Sequence, residues 1–505
     1  MRPVAPSAAA KLVCRREVWR PLFSWYECEK VHRTSLGLHL KRCELPPMRI
    51  HLIAIGGSAM HNFALALADS GHHVTGSDDQ IFEPSRGRLE AAGLLPEREG
   101  WHPEDLTPDI DVVILGMHAR TDNPELRRAN ELGLTIQSYP EFLRSATKDK
   151  QRLVVAGSHG KTTVTSMVLH ACHHAGMSTD IMVGAQLEGF ERMVELKPDH
   201  DWAVIEGDEY LSSPVDRRPK FLWYAPHVTV VTGISWDHVN VFPTEDVYMD
   251  QFRQYLRTVE QGGTVIHCEE DVTLAQIVDE VRLERADIAW VGYRTPQHTP
   301  MDRGSEVTFP DGQSIQLSLL GEHNMQNLSA AREACSAMGM SKESFAEALA
   351  TFKGAARRLE VAHEEPDQGF TVFRDFAHAP SKLAATQAAI AKQFPNREVT
   401  AVFELHTFSS LSREFLPQYN GAMDHVSHAI VYFDPAVVKQ KRLPDLEVDF
   451  VQQAFGRVDL EVITDAQKLE ARIQSVPKKD HVLLMMSSGR FGGIDIIPTP
   501  RQETS

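Results

Sequence analysis

Cysteine is scarce. The 505 residues include six, with no Cys-x-x-Cys pair, so neither a zinc knuckle nor a dithiol redox centre has the spacing it needs. Cys14, Cys28 and Cys43 crowd the first 47 residues. Cys172, Cys268 and Cys335 lie far apart, as reduced thiols of a cytoplasmic protein do. No apolar run reaches the roughly 20 residues of a membrane-crossing helix, so no membrane partner is expected. A basic excess is also missing. The formal net charge is −17, which opposes a general nucleic-acid binder, because such binding rests on neutralising phosphates. A nucleotide stays open as a ligand, since backbone N–H groups and a few local cations can hold phosphate. Solenoid repeats and low-complexity tracts are absent.

What is present is a chain too long for one core, with 42% hydrophobic and 24% charged residues. Residues 1–47 stand apart, with nine Lys or Arg against four Asp or Glu. They lack an apolar signal core, a small-residue cleavage site and any periodicity. Pro46-Pro47-Met48 then precede an obvious strand. Met48 is therefore expected to be the natural start, and 1–47 a disordered or mis-assigned extension.

Arg49–Ile55, the turn Gly56-Gly57-Ser58-Ala59-Met60, a helix to Ser70 and a strand from His73 to Gly76 make a βαβ unit. A strand at 111–116 and a βα step over 124–136 complete a first domain, 48–148. Leu153-Val154-Val155-Ala156 opens a second, 149–356, with strands expected at 202–206, 227–233 and 263–268. Asp311-Gly312 should turn a hairpin within 305–318, and Asn324–Ala337 should be a helix. A third domain, 357–505, is expected with strands near 370–375, 398–404, 427–433, 460–463 and 481–486. The fold class is α/β, as three successive domains.

Gly157-Ser158-His159-Gly160-Lys161-Thr162-Thr163 follows an apolar strand and opens a helix, the context a phosphate loop requires. Glycines let backbone N–H groups close round phosphate oxygens, and the helix N-terminus adds positive potential. Lys161 suits the β/γ-phosphates and Thr162 a magnesium ion. Val155 occupies the place of the usual first glycine, so the loop is a shortened variant. Glu206-Gly207-Asp208-Glu209 and Thr232 to His238 end two later strands, on the side where parallel sheets take ligands. Glu206 and His238 are the expected metal ligands, beside Thr162.

These segments resemble, in order, motifs of the Mur ligase family. The 157–163 loop is similar to its Gly-x-x-Gly-Lys-Thr-Thr. Glu206–Glu209 resembles the Glu-Ala-Asp-Glu of its muramate-ligase branch, and Asp237-His238 its Asp-His pair. Gly321-Glu322-His323-Asn324-Met325-Gln326-Asn327 resembles the adenine-side Gly-x-His-Asn-x-x-Asn. Arg357-Arg358-Leu359 resembles Arg-Arg-Phe. Asp375-Phe376-Ala377-His378-Ala379-Pro380 resembles Asp-Tyr/Phe-Gly/Ala-His-His-Pro, with Ala379 in place of the usual second histidine. The likeness covers about residues 48–495.

The resemblance implies the three-domain Mur architecture: a Rossmann-like UDP-binding domain, a central phosphate-loop ATPase domain and a Rossmann-like third domain. It implies a cytoplasmic ligase that uses ATP and Mg²⁺. The expected substrates are UDP-N-acetylmuramate and a peptide or amino acid. Position by position, Gly157 to Thr163, with Lys161 and Thr162 at their centre, would hold the ATP phosphates. His323, Asn324 and Asn327 would face adenine and Asp375 the ribose. Arg358 would neutralise phosphate charge, and His378 would stand near the reacting groups, as a candidate base. Gly56, Gly57, Ser58, Ala59 and Met60 would cradle the UDP pyrophosphate, with Asp78 near uridine and His118 and Asn123 in a second nucleotide-side turn. Arg490 is a candidate for a substrate carboxylate in the third domain. Asp375–His378, Ala401-Val402-Phe403-Glu404 and Val239–Phe242 favour members that attach a preformed L-alanyl-γ-D-glutamyl-meso-diaminopimelate peptide. L-Alanine addition is the alternative.

Overall fold

Four parallel strands begin the described part of the chain: β1 (Arg49–Ile53), β2 (His73–Ser77), β3 (Val112–Leu115) and β4 (Thr135–Ser138), side by side as β2-β1-β3-β4. The structure, a computed structural model, describes residues 47–117, 119–184, 190, 192–236, 241–301, 304–355, 357–494 and 497. The 1–47 extension therefore lies outside the described residues but for Pro47. From β1 the chain goes to β2 on one side and returns to β3 on the other. The carboxyl ends of β1 and β3 thus flank a crevice, and the helix Ser58–Asp69 starts there. The segment 124–136 corrects the expected βα step. It is a helix, Pro124–Glu131, followed by β4. Asn123 caps that helix and Pro124 occupies its first turn, where a missing N–H costs nothing.

The second sheet contains β5 (Gln151–Ala156), β6 (Thr179–Met182), β7 (Val194–Glu195), β8 (Trp202–Gly207), β9 (Val228–Val231), β10 (Thr264–Cys268) and β11 (Ala289–Tyr293). Their order is β11-β10-β9-β5-β8-β6-β7, with only β7 antiparallel. Leu153 to Ala156 on the central β5 are fully buried. A strand covered on both faces has no polar face to alternate, so the sequence shows it as an unbroken apolar run. The helix Lys161–His174 packs against the helix Glu322–Ala337, and Cys172 and Cys335 are buried there as free thiols. Burial pushes the Cys172 thiol up to about 12, which keeps it unreactive. The Asp311-Gly312 hairpin is present and belongs to a three-stranded antiparallel sheet, β12 (Gln297–Met301), β13 (Gly304–Thr308) and β14 (Ser314–Leu317). β12 has no sequence signature: it is an exposed edge strand that contains Pro300.

The third sheet region holds β15 (Glu360–Glu365), β16 (Phe370–Asp375), β17 (Glu398–Glu404), β18 (His428–Tyr432), β19 (Glu461–Ile463) and β20 (His481–Met486). The order is β15-β16-β20-β17-β18-β19, and only β15 is antiparallel. The last strand slips between β16 and β17, and all six of its residues are buried. The five expected strands are present. β15 was missed because it is a charged, exposed edge. Among the described residues no helix is long and apolar enough to cross a membrane.

Candidate functional site

The phosphate loop is built by close packing. Gly157 has φ +124°, and a Cβ there would collide with the Thr232 hydroxyl and come 2.9 Å from the Thr232 amide nitrogen. Gly160 has φ +80°, and a Cβ there would strike the Asn327 side chain. L-residues avoid this backbone region, so both positions need glycine twice over, for conformation and for space. Ser158 N donates to Gly233 O at 2.9 Å, and Thr232 Oγ1 donates to His159 O. The loop is thereby bolted to the end of β9. Asn327, from the expected adenine motif, sits against Gly160, whereas Asn324 is buried and donates to Leu320 O at 2.7 Å.

Three carboxylates stand at the end of β8, and two of them, Glu206 and Glu209, bond to this loop. Lys161 Nζ donates to Glu209 Oε2 at 2.7 Å and to Gly157 O at 2.6 Å. Thr162 Oγ1 donates to Glu206 Oε1 at 2.9 Å. Lys220 Nζ donates to Asp208 Oδ2 at 2.5 Å. Burial works against the Lys161 ammonium, but Glu209, Asp208 and Glu206 outweigh it and hold its pKa above the ordinary value. Burial raises the Glu206 carboxyl, only partly countered by Lys161 and Thr162. His159 is pushed down to about 4 by burial and by the nearby Lys382 and Lys161, so its imidazole is neutral. His159 Nδ1 is buried without a hydrogen-bond partner among the described residues.

The third sheet region contributes an arginine. Arg357 and Leu359 have φ +55° and +49°, so Arg358 sits in a strained turn. Phe376 N donates to Arg357 O at 2.8 Å, and the Arg358 guanidinium lies 4.7 Å from the Phe376 ring centre. Burial lowers the Arg358 pKa, opposed by the fields of Asp375 and Glu206. Burial also lowers His323, opposed by Asp375 and reinforced by Arg358. Arg358 thus lies within electrostatic reach of Glu206, Asp375 and His323 across the seam between the central and third regions. Gly321 helps to close it: a Cβ there would lie 2.7 Å from the Ala389 Cβ. Asp375 is largely occupied within its own sheet region. Its carboxylate accepts from Leu359 N at 2.8 Å, Ala377 N at 2.7 Å and Thr386 Oγ1 at 3.2 Å. His378 Nδ1 lies 2.9 Å from Phe376 O, which can only accept, so Nδ1 carries a proton.

At the first sheet, Gly56 N donates to Asp78 Oδ2 at 2.8 Å, and the turn Gly56-Gly57-Ser58-Ala59-Met60 enters its helix without a side-chain cap. Burial raises the Asp78 carboxyl to about 6, against the Gly56 hydrogen bond. Asn123 Oδ1 accepts from Glu125 N at 2.9 Å and Leu126 N at 3.0 Å, so its oxygen is used as a helix cap. His118, Asp237 and His238 lie outside the described residues. Among the described ones, no group of three or more His, Cys, Asp and Glu side chains takes a metal-holding arrangement.

The structure gives partners to further side chains that had no individual role in the sequence reading. Glu209 and Tyr248 bind the loop lysine and serine. Glu125, wholly buried under the first crevice, accepts from His102 N at 2.6 Å and from Ser77 Oγ. Glu404, His406 and Asp434 share with Arg357 and the exposed Arg490 a cavity of about 600 Å³ at the carboxyl ends of the third sheet. Glu209 was legible beside Glu206; Tyr248 carries no local signal at all.

A phosphate loop facing carboxylates, with a nucleotide-type crevice before it and an arginine-bearing α/β unit after it, defines a three-domain ATP-dependent ligase. Models of Mur ligase domains match along the chain: the family's catalytic domain over residues 49–151, the middle domain over 155–335 and the glutamate ligase domain over 357–489. The UDP-N-acetylmuramate–L-alanyl-γ-D-glutamyl-meso-2,6-diaminoheptandioate ligase of Escherichia coli is 30% identical over 456 residues, spanning 88% of this chain and 96% of that protein. A UDP-N-acetylmuramate–L-alanine ligase of Roseiflexus is 28% identical over 483 residues, spanning 90% and 100%. A murein peptide ligase from Psychrobacter arcticus shares the fold with TM-score 0.64 at 24% identity, over 88% of this chain and 97% of that one. The chain belongs to the Mur ligase family.

Proposed function

We propose that this protein joins the lactyl carboxylate of UDP-N-acetylmuramate to the amine of L-alanyl-γ-D-glutamyl-meso-diaminopimelate and splits ATP to ADP and phosphate. The observation that carries this reading is the meeting of Lys161 and Thr162 of one loop with Glu209 and Glu206, with Arg358 within electrostatic reach of Glu206. The likeness to the E. coli ligase supports the choice of substrates. Residues 48–148 would take the UDP-sugar, 149–356 the ATP and 357–505 the amino substrate.

A carboxylate is a poor electrophile until its oxygen is made a leaving group. The lactyl oxygen attacks the γ-phosphorus, the bond to ADP breaks, and an acyl phosphate forms. Lys161 and Arg358 hold the charge that spreads over the transferring oxygens. The neutral amine then attacks the acyl carbon, the tetrahedral intermediate expels phosphate, and the amide remains. His378 is the candidate acceptor of the amine proton, which it would take on Nε2 in its neutral form, Nδ1 being held by Phe376 O. Water must be kept from the acyl phosphate, and closure of the third region over the central one would do so.

Thr162 Oγ1 and Glu206 Oε1, 2.9 Å apart, form an oxygen-donor pair that fits a hard divalent cation such as Mg²⁺, and His238 would join them. When bound, the cation would neutralise phosphate charge. Asn327 and His323 would line the adenine side, with Asn324 and Asp375 shaping it from within. Gly56 to Met60, Asp78, His118 and Asn123 would serve the UDP moiety. In the third-region cavity Arg490 would meet a substrate carboxylate, and Asp434 and Glu404 a substrate ammonium.

The test is phosphate release with ATP and UDP-N-acetylmuramate across a panel of amines. The tripeptide should support turnover well above L-alanine. Preference for L-alanine would reassign the amino substrate, and no release with any amine would end the ligase reading.

A further inference from the structure

Lys161 has three N–H donors, and two are already committed inside the protein, to Gly157 O and Glu209 Oε2. Glu209 is 1% exposed. Its other oxygen accepts from Tyr248 OH at 3.3 Å; Tyr248 OH lies 2.9 Å from Ser158 Oγ; and Ser158 Oγ accepts from Ser235 N at 2.8 Å. Tyr248 is wholly buried and Ser158 nearly so. The two ends fix the direction of this chain. An amide N–H can only donate and a carboxylate can only accept. Ser235 N–H therefore donates to Ser158, Ser158 O–H to Tyr248, and Tyr248 O–H to Glu209, while Lys161 donates to Glu209 from the other side. The chain runs beneath the phosphate loop from its lysine to the backbone that follows β9, two residues before the Asp237-His238 segment.

We propose that Glu209, held by Tyr248, is a positioning residue that fixes the Lys161 ammonium so that its third N–H is aimed at the transferring phosphoryl group. This rests on the ligase reading above. The physical case is one of preorganisation. A lysine side chain has four rotatable carbons, and a point cation contributes to phosphoryl transfer only where charge develops. Anchoring two donors removes most of that freedom before ATP arrives. The anchor is itself anionic, so it adds nothing to ground-state attraction for ATP; its gain appears in the transition state. Tyr248 OH and Ser158 link the anchor to the loop backbone, so lysine and loop move as one body.

The experiment measures kcat for Glu209→Gln, Glu209→Asp and Tyr248→Phe, with calorimetric Kd for ATP and ADP in the absence of the other substrates. Glu209→Gln is expected to lower kcat by about 30-fold or more while the Kd for ATP does not rise. Glu209→Asp should recover part of that loss, since it keeps the charge. Tyr248→Phe should lower kcat by about 3- to 10-fold with the same unchanged Kd. Nucleotide affinity near wild type also certifies a folded site. If Glu209→Gln keeps kcat within twofold, or if kcat and affinity collapse together in all three variants, the positioning role is wrong. Failure of the wild-type protein to bind ATP would instead overturn the ligase reading itself.

Discussion

The first and central sheets each offer phosphate the same backbone device, yet only one of them is equipped to react. In both, a buried strand ends in a glycine turn that opens a helix, Ser58–Asp69 in one and Lys161–His174 in the other. Neither helix has a side-chain cap or an acidic residue in its first turn, so both leave N–H groups and positive potential for an anion. They differ in what surrounds the turn. The first is closed by one carboxylate, Asp78, on the Gly56 amide. The central turn carries Lys161 and Thr162 against Glu206 and Glu209, with Arg358 within electrostatic reach of Glu206. A helix N-terminus suffices to hold a pyrophosphate that stays intact. Moving a phosphoryl group needs a placed cation and the carboxylates that place it.

The largest break in this comparison should come from Lys161→Ala. It strips the central turn to the first turn's equipment, and kcat should fall by about 10³-fold or more in a steady-state phosphate-release assay. Gly157→Ala puts a Cβ into Thr232 at a left-handed backbone position. It should cost about 2 kcal/mol of stability in chemical denaturation and about 10²-fold in kcat/KM. Gly56→Ala is gentler, because the new Cβ would lie 3.0 Å from Asp78 Oδ2 and from Ile81 Cγ1. It should raise KM for the UDP-sugar by about 10-fold and leave kcat within about threefold, since that turn binds and does not react. Equal losses in kcat would erase the distinction between the two turns.

The smallest effect concerns Asp78, whose carboxyl sits near 6 against an ordinary 3.8. A carboxyl raised on folding binds its proton in the native state before the unfolded chain does. The cost of the buried anion is thus complete above about pH 6 and is relieved as pH falls towards about 4. Asp78→Asn removes that dependence. The variant-minus-wild-type difference in unfolding midpoint should decline across this window on acidification and stay flat above it. A difference constant from pH 4 to 8 would show that Asp78 does not titrate there.

Much of the site was readable because its signals are local. Gly157 to Thr163 are contiguous, and Glu206 lies at the end of an apolar run whose neighbours leave a ligand face. Several buried strands were equally plain, and β16, β17 and β20 coincide with the expected ranges, but the buried β6 was not expected. The edge strands β7, β12 and β15 were not legible, since an edge is half-exposed and carries charge or proline in place of apolar alternation. The 124–136 order was misread because Asn-Pro marks a turn and a helix start equally well. Asp375 and Asn123 were expected as ligand contacts, and most of their acceptor capacity is used within the fold. A motif shows which residue stands at a position; how many of its hydrogen bonds are already satisfied depends on the neighbours.

The order of motifs by itself determined the family, the α/β class and the loop that faces phosphate, because glycine freedom, strand burial and a lysine at a helix start are properties of short stretches. Only the folded chain decided that Tyr248 reaches Glu209, that Asn327 lies against Gly160 and that Arg358 comes within electrostatic reach of Glu206. Those partners stand tens of residues or more apart. Hydrogen bonds act over about 3 Å and charge fields over about 10 Å of space, and the distance along the chain between two groups leaves that separation undetermined until the sheets have packed.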